Sequence, residues 1–222
     1  MAHSGITQVD ISLFTLINQE WISPWLDPAM EMFSFVPLLW GIMAVAAILV
    51  VRRCWQASTM AAQRKERLKK ICAGCLLIAC SAGVTETVTW SVKRCVDKGR
   101  PYHELAGTRY IHKGEWVRRP VDVPPRGSGG TSFISGHSSN TMALANSLAF
   151  LYPPLKPFAY ALPLCVGYSR VYLGKHYPSD VVAGWIVGWA LSSLVCSLLG
   201  NRVACLRKKR SRRMSVALAD IW

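Results

Sequence analysis

The sequence predicts an all-α fold: a polytopic membrane helix bundle with about five transmembrane helices and an N-terminal interfacial helix. Three observations predict this fold class. Hydrophobic residues make up 51% of the 222 residues, and the mean hydropathy of +0.24 is high for a soluble domain. The apolar residues are concentrated in long uninterrupted blocks. The positive charges lie between and after those blocks.

The elements follow in chain order. Residues 1–31 contain a short amphipathic stretch, "ISLFTLINQEW", which is too polar to span a bilayer and has Trp residues that suit the interface, so an interfacial segment is expected. Residues 32–200 are predicted to form one transmembrane domain, and residues 201–222 a basic cytoplasmic tail. The predicted spans are Met32–Val51, Ile71–Val92, His137–Leu155, Pro157–Leu173 and Val181–Gly200.

The distribution of charge predicts the topology. The net charge is +14, with seven Lys and Arg in residues 52–70 and seven more in residues 201–222. Short basic segments stay in the cytoplasm, so the N-terminus and the loop 93–136 are expected outside. A basic tail also occurs in proteins that bind nucleic acid, but topology and anionic headgroups explain it with fewer assumptions. We therefore expect membrane lipids, and no nucleic acid, as partners.

The eight cysteines indicate neither a disulfide framework nor a zinc site. Cys72 and Cys75 form a CxxC pair, but it lies inside an apolar span without a second pair or a histidine at zinc spacing. These cysteines are interpreted as small packing residues.

Three polar groups interrupt the apolar pattern, and the predicted topology brings all three to the external face. The first is "KRCVDKGRP" after the second span, the second is "SGH" before the third, and the third is "SRVYLGKHYPSD" between the last two. Each has a simpler explanation alone: a Lys or Arg at the end of a span commonly extends to the interface, and a Ser or Asp often caps a helix. Their joint order and spacing favour a shared site.

This spacing, K-x6-R-P, then S-G-H, then S-R-x5-H-x3-D, resembles the type 2 phosphatidic acid phosphatase family, which shares its site with vanadium haloperoxidases. The motifs span residues 93–180. The resemblance implies that His176 is the nucleophile, that Asp180 accepts the other ring N–H of His176, and that His137 protonates the leaving group. It implies a phosphate-binding set of Lys93, Arg100, Ser135, Gly136 and Arg170. The family commonly has Pro where this chain has Ile134, which puts the rigidity of that loop in question.

The resemblance implies a lipid phosphatase that makes a phosphohistidine and needs neither cofactor nor metal, because side chains supply the cations. The expected location is the bacterial cytoplasmic membrane, with the active site on the extracytoplasmic side. Undecaprenyl diphosphate is the first substrate hypothesis. Lipid A, phosphatidylglycerophosphate and phosphatidate remain alternatives, as do a lipid phosphotransferase and a non-enzymatic binder or transporter. The sequence leaves the oligomeric state open. It also leaves open the role of Glu86, a carboxylate within a predicted span that matches no motif.

Overall fold

A computed structural model of the chain describes residues 5–35, 52, 61–124 and 131–219. The described residues form seven α-helices: α1 (Gly5–Thr15), α2 (Asp27–Ser34), α3 (Ala61–Cys95), α4 (Pro101–Glu104), α5 (Gly136–Leu151), α6 (Lys156–Tyr172) and α7 (Pro178–Ala219). They also include an antiparallel hairpin of β1 (Arg109–His112) and β2 (Glu115–Arg118). The helical fold class is confirmed, and the hairpin is an element that the sequence analysis did not predict.

Four of the five predicted spans coincide with helices α3, α5, α6 and α7, whereas most of the first, residues 36–51, lies outside the described residues. Two stretches, Leu68–Cys95 and Pro178–Gly200, are long and apolar enough to cross a membrane by length and composition. Helix α5 ends at Leu151, before the predicted end at Leu155, because Pro153 and Pro154 cannot continue it. The number of five spans stays a prediction.

Helix α5 is central in the bundle, where it contacts α3, α6 and α7. Small residues allow α7 to approach the start of α5: a Cβ on Gly184 would lie 2.7 Å from the Ser135 carbonyl oxygen, and one on Gly188 would collide with the Ser139 backbone. The Ser135 N–H donates a hydrogen bond to the Asp180 carbonyl (3.1 Å). The first turns of α5 and α7 are therefore held side by side.

The N-terminal segment packs on the same end of the bundle. Helix α1 continues into a π-helical turn (Leu16–Glu20), and Phe14 is buried against Val171 and Tyr177. The Asn18 side chain accepts a hydrogen bond from the Arg109 N–H and donates to the Tyr172 carbonyl. Trp25 is 91% exposed. The segment thus has a face docked on the protein, and its membrane-interface location stays a prediction.

The hairpin lies within the long loop between α3 and α5. Lys113 and Gly114 connect its strands with φ angles of 51° and 89°, the left-handed pair that a two-residue type I′ turn requires. The Tyr110–Val117 and Ile111–Trp116 pairs follow in register. The sequence signal was a Lys-Gly dipeptide between two short stretches rich in aromatic and β-branched residues.

Candidate active site

The first motif lies where α3 ends and the chain turns into α4. Lys93 is in the last turn of α3, and its Nζ lies 3.6 Å from the position that a Cβ on Gly136 would occupy. Arg100 precedes α4 in an extended conformation, and its Nε is buried without a hydrogen-bond partner among the described residues. The structure therefore brings a cation of the first motif to the start of the second.

The second motif forms the N-terminus of α5. Ser135 is the N-cap, and its Oγ accepts hydrogen bonds from the Ser138 N–H (3.4 Å) and the Ser138 hydroxyl (2.9 Å). The N–H groups of Gly136 and His137 belong to the first turn, where a helix has no preceding carbonyls to accept them. Unpaired N–H groups and the positive end of the helix dipole attract an anion at this position. The motif combines a helix cap with the geometry of a phosphate cradle.

The third motif runs from the last turn of α6 to the first turn of α7. Arg170 is only 4% exposed, its guanidinium donates to the Ser34 hydroxyl, and its Nε lacks a partner among the described residues. His176 is in the connection, 2% exposed, and its backbone N–H donates to the Arg170 carbonyl. Asp180 is fully buried in the first turn of α7. The connection therefore folds back so that Arg170 and His176 stay close together.

The hydrogen bond of His176 fixes its tautomer. Nδ1 lies 2.8 Å from the carbonyl oxygen of Ser132, and because a carbonyl only accepts, Nδ1 must carry the hydrogen. Burial lowers the pKa of His176 well below 6.5, and the charges of Arg170, Arg100 and Lys93 lower it further. The ring is therefore neutral at physiological pH, with the lone pair on Nε2.

Asp180 does not have the contact that the sequence analysis expected. Its Oδ2 is 3.9 Å from His176 Nδ1, beyond hydrogen-bond distance, and it accepts from the Ser132 hydroxyl (2.5 Å) and the Tyr177 N–H (2.9 Å) instead. The expectation of a direct bond is wrong in this structure, because the Ser132 carbonyl occupies the place at Nδ1. Asp180 contacts His176 through Ser132.

Positive charge converges on His137. The cations whose charges act on it are Arg170, Lys175, Lys93 and Arg100. Lys175 occupies a position that the third motif leaves unspecified, and burial, followed by the charges of Arg170 and Arg100, lowers its pKa to about 8. None of these four cations forms an ion pair with a carboxylate among the described residues, and such a group is typical of a site that receives an anion.

Three residues at the site were missed by sequence reasoning: Ser132, Lys98 and Lys175. Lys98 forms ion pairs with Asp180 Oδ1 (2.8 Å) and with Asp10 Oδ2 (3.3 Å). All three lie inside or beside the quoted motifs, at positions that the motif leaves unspecified, so proximity in sequence was the available signal. Glu86 accepts a hydrogen bond from Asn140, one turn beyond His137.

Within the described ranges, no group of three or more His, Cys, Asp or Glu residues is placed to hold a metal ion.

A family model described as the PAP2 superfamily matches residues 68–204. The chain belongs to the PAP2 superfamily. The resemblance drawn from the three motifs is confirmed, and the roles of the individual residues stay predictions.

Curated relatives of this PAP2 chain are named as phosphatases. A lipid A 1-phosphatase from Rhizobium johnstonii is 39% identical over 77 residues, covering 35% of this chain and 31% of the relative. A decaprenylphosphoryl-5-phosphoribose phosphatase from Mycobacterium tuberculosis is 29% identical over 127 residues, covering 57% and 62%. Both alignments span less than two thirds of the relative. Escherichia coli YbjG, named provisionally as an undecaprenyl-diphosphatase, is 28% identical over 192 residues, covering 82% and 79%.

Two solved structures share the fold. A transmembrane PAP2-type phosphatidylglycerolphosphate phosphatase from Bacillus subtilis aligns with a TM-score of 0.57 and 20% identity, covering 88% of this chain and 87% of that one. Aquifex aeolicus LpxE aligns with a TM-score of 0.58 and 21% identity, covering 85% and 95%. These similarities support a PAP2 membrane helix bundle for this chain.

Proposed function

We propose that the chain is a lipid phosphatase that transfers a phosphoryl group to His176 and then to water. The observation that carries this proposal is the hydrogen bond from His176 Nδ1 to the Ser132 carbonyl, which leaves the Nε2 lone pair available beside the cations. A buried, neutral imidazole with one nitrogen fixed as donor is a nucleophile of known orientation. A site for passive binding of phosphate has no need of this arrangement.

The reaction takes two steps. In the first, the Nε2 lone pair of His176 attacks phosphorus and the bond from phosphorus to the leaving oxygen breaks. His137, which can hold a proton once the negative charge of the bound phosphate offsets the surrounding cations, gives that proton to the leaving oxygen. In the second, His137 removes a proton from water, the water oxygen bonds to phosphorus, and the phosphorus–nitrogen bond breaks, returning its electron pair to Nε2. Inorganic phosphate and the dephosphorylated lipid are the products.

The cations stabilise the charge that the equatorial oxygens carry in the transition state. Arg100 and Arg170 each have an Nε without a hydrogen-bond partner among the described residues, so both guanidinium groups have donors for phosphate oxygens. Lys93 Nζ lies 3.6 Å from the position that a Cβ on Gly136 would occupy, beside the same helix start. Ser135 and the N–H group of Gly136 complete the donors at the start of α5. No step of this reaction requires a metal ion.

For the substrate, we propose a polyprenyl diphosphate, with undecaprenyl diphosphate as the first candidate. A diphosphate has a second phosphate on the leaving side, and Lys175 adds a cation that acts on His137, the residue assigned to the leaving group. The similarity to YbjG, which extends over most of both chains, supports the same substrate class. Lipid A is the second candidate, because the Rhizobium relative is named as a lipid A 1-phosphatase.

We also propose that the site faces the extracytoplasmic side of the cytoplasmic membrane. The positive-inside rule supports this side, because the seven Lys and Arg in residues 52–70 and the seven in residues 201–222 favour the cytoplasm for the opposite ends of α3 and α7. A lipid can then enter the site laterally while its tail stays in the bilayer. The headgroup is cleaved at the outer surface.

The test is phosphate release by the purified full chain in detergent, with undecaprenyl diphosphate, lipid A, phosphatidylglycerophosphate and phosphatidate at equal surface concentration. We expect the diphosphate to be cleaved fastest, His176→Ala to be inactive, and His112→Ala, an exposed histidine on the hairpin, to match wild type. Faster cleavage of lipid A would overturn the substrate assignment alone. Transfer of phosphate to an added lipid alcohol without release would indicate a phosphotransferase. Absence of turnover with all four lipids would overturn the phosphatase assignment.

A further inference from the structure

An ion-pair chain links the N-terminal helix to the carboxylate of the third motif. Lys98 Nζ lies 2.8 Å from Asp180 Oδ1 and 3.3 Å from Asp10 Oδ2, so a single ammonium bridges two carboxylates. Asp180 is fully buried, and the side chain of Asp10 is 9% exposed. Two carboxylates this well buried repel each other unless a cation compensates them. Lys98 is that cation.

The backbone of Lys98 holds the other side of the same site. Its carbonyl oxygen accepts a hydrogen bond from the Ser132 N–H at 2.6 Å. Ser132 in turn donates its hydroxyl to Asp180 and accepts the N–H of His176 through its own carbonyl. Lys98 therefore fixes both groups beside His176 Nδ1, namely Ser132 and the Asp180 carboxylate. A shift of Lys98 moves Ser132 and Asp180 together.

Asp10 fixes the start of α7. Its Oδ1 accepts the Ser179 N–H (2.8 Å) and its Oδ2 accepts the Ser179 hydroxyl (2.5 Å), so a carboxylate from α1 caps α7 from outside. Lys98 also donates to the Ser179 hydroxyl at 3.0 Å. Asp10 lies outside the residues 68–204 that the family model matches. The N-terminal segment thus supplies a contact at the turn that carries Asp180.

Lys98 differs from the cations assigned to phosphate. It lies in the first motif, between Lys93 and Arg100, yet two carboxylates already neutralise its charge. Arg100 and Arg170 keep an unpaired Nε, and Arg170 has no carboxylate in ion-pair distance among the described residues. A cation engaged in this way orients neighbouring groups and contributes little attraction to a distant anion.

We propose that Lys98 and Asp10 are positioning residues for the phosphoryl-transfer site, and that the N-terminal helix α1 is therefore part of the catalytic unit. The two residues hold Asp180 and Ser132, which together fix the orientation and tautomer of His176. This inference rests on the proposed phosphatase function. It assigns the residues an effect on the rate of the chemical step and none on binding of the lipid phosphate.

The experiment compares steady-state kinetics of purified Lys98→Met, Asp10→Asn and Lys98→Arg, with Lys113→Met, an exposed lysine in the hairpin turn, as matched control. We expect Lys98→Met to lower kcat about 10- to 100-fold with KM within about twofold of wild type, because a misaligned nucleophile slows chemistry without weakening binding. Lys98→Arg should recover most of kcat, since a guanidinium can also bridge two carboxylates.

Asp10→Asn keeps the shape of the side chain while removing its charge. It therefore tests the same Asp10–Lys98–Asp180 ion pairs if the thermal midpoint in detergent shows that Lys98→Met does not fold. We expect it to lower kcat with KM unchanged, and the double variant Asp10→Asn/Lys98→Met to be no slower than Lys98→Met alone. This inference alone would be overturned if the wild type is active and both Lys98→Met and Asp10→Asn keep the wild-type kcat, whether their KM is unchanged or raised. A wild type that releases no phosphate would overturn the proposed function and this inference with it.

Discussion

Arg109 and Arg170 lie at the same end of α6 but in opposite electrostatic surroundings. Arg109 makes a two-pronged ion pair with Asp27 (2.7 and 2.5 Å) and stacks on the Trp116 ring at 3.8 Å. Arg170 is buried, its Nε has no partner within the part of the chain that the structure describes, and the charge of a second arginine, Arg100, acts on it. Arg109 has the partners of a structural cation, whereas the surroundings of Arg170 suit a cation that binds an anionic ligand.

The difference shows which part of the fold contains unfavourable repulsion between like charges. At the Asp27 cluster, the hydrogen bond from Arg109 is the largest influence on the carboxyl and holds the pKa of Asp27 below its ordinary value. Each charge there is compensated, so the cluster fastens α2 to the hairpin. At the proposed phosphate cradle, Lys93, Arg100 and Arg170 act on one another and have no carboxylate within ion-pair distance among the described residues, so their mutual repulsion costs stability until an anion binds.

Arg170→Ala gives the largest effect expected from this comparison. Removing a transition-state donor should lower kcat/KM about 100- to 1000-fold, while the thermal midpoint in detergent stays equal to wild type or rises, because repulsion between cations is relieved. Phosphate release and a thermal unfolding curve measure both quantities on one preparation. Substantial activity together with a lowered midpoint would mean that Arg170 is structural and would remove the contrast.

Arg109→Ala should show the opposite pattern. Leaving Asp27 without its partner should cost about 3 kcal/mol of stability, with kcat changed far less than in Arg170→Ala. Arg118→Ala is the matched control, because Arg118 is the exposed cross-strand neighbour of Arg109 on the same hairpin. Equal midpoints for the two hairpin variants would show that the Asp27 ion pair contributes nothing measurable.

The pH dependence of activity tests the contribution of Lys175 to the site, because the pKa of Lys175 is lowered to about 8. Lysine loses its positive charge as the pH rises through its pKa, so attraction for the diphosphate weakens and kcat/KM should fall above about pH 8. In Lys175→Arg the charge persists, and this decline should be absent or shifted upward. An identical alkaline limb in wild type and Lys175→Arg would assign the decline to another group.

The smallest expected effect is that of a chelator. Because side chains supply the cations, activity should stay within about twofold of wild type in excess EDTA. Loss of activity in EDTA and recovery on adding Mg²⁺ would contradict the assignment of Arg100, Arg170 and Lys93 as the groups that neutralise phosphate.

Sequence reasoning located the helices and the convergence of the motifs, because long apolar blocks and fixed motif spacings are local patterns. It placed His176, His137 and Arg170 near one another correctly, since their positions at helix ends determine it. It did not find Lys98 and Ser132, whose roles depend on contacts with residues up to 88 positions away in the chain. The expected Asp180–His176 bond failed for the same reason: the backbone carbonyl that replaces it has no signature in the sequence.

The central step of the proposed reaction is the bonding of phosphate to His176. In His137→Ala the second step lacks its base, so an aryl phosphate whose leaving group needs no proton should still phosphorylate the protein, and the intermediate should accumulate. We expect an acid-labile phosphate on His176, located by peptide mass spectrometry, and none in the double variant His137→Ala/His176→Ala. Phosphate on another residue, or turnover by His176→Ala at the wild-type rate, would contradict the assignment of His176 as the nucleophile.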